Sequence, residues 1–107
     1  MHQIQRIANS IAKFQYVLRP ALESKGIIFD RISNIDYSGL VKLKNNYLLS
    51  ISIPPHEITR GVYEVELFDY NKNVINDSKI GYDNKKELCT TDDIYSEIVF
   101  LDKFFTK

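Results

Sequence analysis

Apolar residues recur at three- and four-residue intervals through the first 25 positions, then at every second position through the middle of the chain. Ile4, Ile7, Ala8, Ile11, Phe14, Leu18, Ala21 and Leu22 fall on one stripe of a helix. Pro20 lies inside that stripe, where a proline removes one hydrogen bond and clashes with the carbonyl four residues back. A kink is therefore expected, or a break near Leu18 with Pro20 opening a short second helix. Gly26 is placed to end it in the left-handed conformation. Candidate strands follow at 27–32, 40–43, 47–53, 62–68 and 74–80, separated by clusters of Asn, Asp and Gly. Thr90, followed at the third position by Asp93, approximates a capping box, with Ile94, Ile98, Leu101 and Phe105 as the next helical stripe. The pattern predicts an α+β fold in one domain spanning 1–107. Its elements are an N-terminal helix kinked near Pro20, an antiparallel meander of about five strands and a C-terminal helix.

Alternation also predicts register, because successive residues of a strand point to opposite faces. Tyr47, Leu49, Ile51 and Ile53 share one face, and Tyr63, Val65 and Leu67 form the matching apolar set of the next strand. Setting Ile53 opposite Tyr63 brings Ile51 to Val65 and Leu49 to Leu67, and leaves Leu48 opposite Phe68 on the outer face. The LVKLKNNYLL segment offers two turns. A two-residue Asn45-Asn46 turn would put Lys42 on the core face. A three-residue loop, with one Asn left-handed, pairs Leu43 with Tyr47 and sets Lys42 outside, and it is preferred. The outer face then carries Lys42, Leu48 and Phe68 in a row, an apolar pair rimmed by charge of the kind that marks a protein interface. The competing expectation buries the row under the C-terminal helix, against Phe100 or Phe104, or in a homodimer.

Composition narrows the function classes. The 107 residues are 44% hydrophobic and 12% aromatic, which argues for a packed core over disorder. Lys plus Arg and Asp plus Glu balance at 14 each, so the surplus of cations that drives sequence-independent nucleic-acid binding is missing. A single cysteine, Cys89, precludes an internal disulfide, fits a reducing compartment and is expected to be buried. The opening MHQIQRIANSIAKF lacks the apolar core of a signal peptide. No run approaches the roughly 20 apolar residues of a membrane span. A cytoplasmic protein without membrane association is expected.

Constellations able to carry chemistry are few. His56, Glu57 and Arg60 stand within five positions between Pro54-Pro55 and Gly61. They could serve as a general base, its carboxylate and an anion clamp in a small hydrolase. Adjacent loop residues need not converge, and loop solvation is the favoured reading. His2, His56 and Cys89 do not have zinc-ligand spacing. Asp69, Asn71, Asn73 and Asp77 resemble the start of a calcium loop, but Val74 and Ile80 stand where its glycine and closing glutamate belong, so a hairpin turn is expected. No catalytic residue, metal site or cofactor is expected.

The segment YEVELFDYNKNVINDSKIGYDNKKELCTTDDIYSEIVFL resembles a pattern in small phage- and prophage-encoded α+β proteins. A strand ends in an acidic turn (here Glu64 to Asn73), a strand returns, and a Tyr-Asp segment (Gly81-Tyr82-Asp83) leads to a Thr/Asp-capped helix. Lys72 and Asn73 stand where that pattern has a turn glycine. The resemblance implies a non-catalytic protein-binding module that inhibits or modulates a host protein, anti-defence proteins being one such class. The partner expected is a host protein or a second copy of the chain, and the outer-face row read from strand parity, Lys42, Leu48 and Phe68, supplies the expected contact residues. The alternatives are a nucleic-acid-binding regulator using Lys42, Lys44 and tyrosines, and the His56/Glu57 hydrolase.

Overall fold

The computed structural model describes residues 2–106; the side chains of His2 and Gln3 lie outside the described residues. Helix α1 (His2–Lys13) runs through a π-helical turn, Phe14–Leu18, into α2 (Arg19–Glu23). Pro20 explains the wide turn. It has no N–H to give the Tyr16 carbonyl, and its ring would collide with that group in a regular helix. The preceding residue, Arg19, bonds back five residues to the Phe14 carbonyl instead. The expected kink or break is thus a one-turn widening, with Pro20 in the first turn of α2. Gly26, at φ +83°, ends the helix. Its N–H bonds Glu23 O at 3.0 Å and the Ile27 N–H bonds Leu22 O at 2.9 Å, the paired closure of a Schellman motif.

Five strands form one antiparallel sheet in sequential order: β1 (Arg31–Ile32), β2 (Ser38–Lys42), β3 (Leu48–Ser52), β4 (Tyr63–Phe68) and β5 (Lys86–Leu88). The expected register holds through the centre. Ile51 pairs with Val65, Leu49 with Leu67, and Leu48 with both Lys42 and Phe68. The Leu43 N–H donates to Tyr47 O at 2.7 Å across the three-residue turn Lys44–Asn46. Both Asn45 and Asn46 are left-handed there, one more than expected.

The outer strands depart from the sequence reading. Segment 27–32 contributes only its last two residues to the sheet, because Ile27 is committed to closing α2. Segment 74–80 is not a strand. Val74 makes a single bridge to Phe68, and the chain then turns through Ser78–Ile80, where Asp77 caps the Lys79 N–H at 2.9 Å. The fifth strand lies in the charged stretch Lys86–Leu88, paired with β4 through Tyr63 and Leu88. An edge strand is held by backbone pairing on one side, and its charged side chains keep the other side from recruiting further strands.

Helix α3 (Thr91–Phe104) starts in the expected capping box: Thr90 Oγ1 accepts from the Asp93 N–H at 3.0 Å, and Asp93 Oδ2 accepts from the Thr90 N–H at 3.1 Å. Its far end docks on the β2–β3 turn. Asp102 accepts from the Lys44 N–H at 3.0 Å, and Phe105 stacks on Tyr47 with ring centroids 3.7 Å apart. Phe14, Leu18 and Leu22 join Ile94, Ile98 and Leu101 over the inner-face residues of the sheet in one core cluster. The first two turns of α1 reach past it. Ile4 is 75% exposed and Ile7 41%, so those members of the predicted stripe are not core. None of the described helices is long and apolar enough to cross a membrane.

Candidate functional site

Strand parity delivers the outer-face row. Lys42, Leu48 and Phe68 are successive partners across β2, β3 and β4. The adjacent row runs Arg31, Leu40, Ser50, Glu66 across β1 to β4. Since the helices pack on the inner face, Leu40, Leu48 and Phe68 stay half-buried and Lys42 exposed. The burial under Phe100 or Phe104 that the sequence left open does not occur: those two rings are themselves exposed on α3.

A turn adds the last member. After β4, Asp69 Oδ1 accepts from the N–H groups of Asn71 at 2.8 Å and Asn73 at 2.9 Å, while Lys72 takes φ +67°. The oxygen offered by a calcium loop is here spent on closing a turn, as the sequence reading expects. That turn brings Lys72 beside Phe68, and together with Arg31, Leu40 and Leu48 they line a shallow groove of about 240 Å³. Lys42 stands next to it through its pairing with Leu48. Among the described residues, no carboxylate lies within 4 Å of the charged groups of Arg31, Lys42 or Lys72. The groove therefore has an apolar floor, with Arg31 and Lys72 lining it and Lys42 beside it, none of the three ion-paired among the described residues. Sequence parity yields Lys42, Leu48 and Phe68, and would also have placed Leu40, two residues from Lys42, on the same face; Arg31 and Lys72 escape it, because β1 is two residues long and the turn geometry is invisible in a period-two pattern.

The opposite end of the same face is internally neutralised. Arg60 bonds Glu57 and reaches Glu87 at 2.9 Å, and Lys85 reaches Glu64 at 2.9 Å. The Arg60 hydrogen bond, opposed in part by burial, holds the Glu87 carboxyl below the usual carboxylate range; its bonds to Glu87 and the Glu57 charge raise Arg60 in turn. Glu57, Glu64 and Glu87 bring carboxylate oxygens within 4.8 Å of one another, but Arg60 and Lys85 already occupy them, which makes the trio an ion-pair network. Glu57 is thus turned to Arg60. His56, in the 3₁₀ turn Pro55–Arg60, is exposed at the rim of a shallow depression that includes Ser38, Ser50, Ser52 and Glu66. The three residues that looked reactive in sequence do not converge on a common point.

Burial singles out a different polar group. Glu97 of α3 is only 8% exposed. Its carboxylate accepts from Tyr82 Oη at 2.8 Å and from Lys86 Nζ at 2.9 and 3.1 Å, and the same ammonium donates to Ile80 O at 3.0 Å. Burial, reinforced by Glu97, raises the Tyr82 phenol far above its ordinary value. All the partners lie on β5, α3 and the loop between β4 and β5, and the group ties these elements together. A signal existed in the sequence: Glu97 occupies the core stripe between Ile94 and Leu101, where a carboxylate requires a buried donor. Cys89, expected to be buried, is exposed after β5.

No protein-family model, curated protein or solved structure matches this chain.

Proposed function

We propose that this chain is a non-catalytic protein-binding module that works by occupying a partner's surface through the outer face of its sheet. One observation carries the reading: an apolar floor of Leu40, Leu48 and Phe68 sits on an uncovered sheet face, beside Arg31, Lys42 and Lys72. Half-exposed leucine and phenylalanine side chains gain by desolvation against a partner, roughly 25 cal/mol for each Å² of apolar surface covered. Unpaired cations at the rim steer encounter and select among partners. The resemblance of segment 63–101 to small phage and prophage proteins points to an inhibitor or modulator of a host protein, with the cytoplasm as its setting.

The test is capture with and without the face. Wild-type protein and the Leu48→Ser and Phe68→Ser variants, each confirmed as folded by circular dichroism, are used as bait in host lysate. A stoichiometric partner retained by the wild type and lost by both variants is expected. A partner retained by both variants would move the interface elsewhere. The three unpaired cations also favour a second reading, in which the face meets nucleic acid. Binding in a gel shift that collapses steeply with added salt would support that reading over the first.

A further inference from the structure

Resting on the protein-binding reading of this face, we infer that the groove's partner is a short acidic segment with one bulky apolar residue between its carboxylates. Charge complementarity identifies it. Arg31 and Lys42 lie on the β1–β2 side of the floor and Lys72 on the far side, beyond β4, so cations flank the apolar centre on both sides. Strands are about 4.8 Å apart, which sets the β1 and β4 rims roughly 14 Å from each other. An extended segment crossing the strands advances about 3.4 Å per residue, so its carboxylates would be about four positions apart with the apolar anchor midway. That anchor would descend onto Leu40, Leu48 and Phe68.

The same charges argue against a second copy of this chain on the groove. A two-fold contact sets a patch against itself, which here would oppose Arg31, Lys42 and Lys72 to their own copies, three cations against the single carboxylate of the adjoining row, Glu66. Nucleic acid is the weaker fit, because the face offers a single ring for stacking at the groove, Phe68.

The experiment is selection of a random dodecapeptide display library against the 107-residue chain at low ionic strength, followed by binding of an enriched peptide made synthetically. Enriched sequences should place Asp or Glu on both sides of Leu, Ile, Met, Phe or Trp. Lys42→Glu combined with Lys72→Glu, both exposed positions, should weaken that peptide by about tenfold or more, and a peptide with its acids changed to lysine should bind the double variant better than the wild type. Enriched peptides without an acidic bias that nevertheless lose binding with Leu48→Ser would overturn the inference and leave the interface standing. Binders indifferent to Leu48→Ser and to the charge reversals, or no binders at all, would overturn both. Tighter binding of a single-stranded oligonucleotide, abolished by the same reversals, would assign the face to nucleic acid.

Discussion

Glu97 ties α3 to β5 and the preceding loop through buried hydrogen bonds to Tyr82 and Lys86. Removing its carboxylate strands a Lys86 ammonium that is three-quarters covered and leaves the buried Tyr82 hydroxyl without an acceptor. Breaking one partner of a buried ion pair typically costs about 3–5 kcal/mol, and partial exposure of Lys86 sets the expectation for Glu97→Ala at about 2–4 kcal/mol. The urea midpoint should fall accordingly. The tyrosines make a second prediction. Burial raises the phenols of both Tyr63 and Tyr82 above the ordinary value of about 10, so the unfolded chain loses those protons first as pH rises. Stability contributed by the neutral phenols is complete below about pH 10 and declines above it. Urea unfolding followed between pH 9 and about 11 should show that decline, and Tyr82→Phe should flatten it even though it also removes a donor from Glu97. Glu97 was legible in the sequence only as a misfit in an apolar stripe. Its partners were not, since Tyr82 and Lys86 reach it through a fold of the chain that local spacing does not encode.

At the scale of elements, the pieces governed by neighbouring residues match their sequence signals. Thr90 and Asp93 cap α3 through atoms three positions apart, and Gly26 closes α2 through bonds that span only a few residues. Thr90→Ala should therefore cost about 1 kcal/mol in urea unfolding, the usual loss for a side-chain cap. β3 and β4 match for a related reason: one buried face makes a one-residue slip expose the whole apolar set, so alternation alone sets register. β5 misled because its partner, and not its composition, makes it a strand. VINDSKI carries more apolar residues than KKEL, yet Ile75, Ile80 and Tyr82 reach the core through turns, while Lys86–Leu88 needs only β4 beside it.

The molecule as a whole is a sheet with helices on one side. Adjacent residues of β3 should thus respond very differently to truncation. Leu49 is fully buried between the sheet and the helices, and Leu49→Ala should cost about 2–5 kcal/mol. Leu48, half-buried on the open face, should cost about 1 kcal/mol or less, because part of its surface already meets water. Equal losses, measured by urea unfolding, would show the outer face to be packed in solution and would remove the groove from consideration as a docking surface.

Whatever depends on residues near one another in the chain could be read directly: the helix caps, the central register, the three-residue turn and the outward placement of Lys42, Leu48 and Phe68. Their energetics come from backbone bonds and from a two-residue alternation that the sequence itself displays. Tertiary structure decided the rest. The side of the sheet taken by the helices left the Leu48 row open. Pairing with β4 turned a charged loop into β5, Arg60 and Lys85 quieted the acidic end of the face, and the Asp69 turn delivered Lys72 to the groove. Apart from the Asp69 turn, which is local but carries no period-two signal, each of these rests on contacts between residues remote in sequence, whose free energy exists only once the chain has closed on itself.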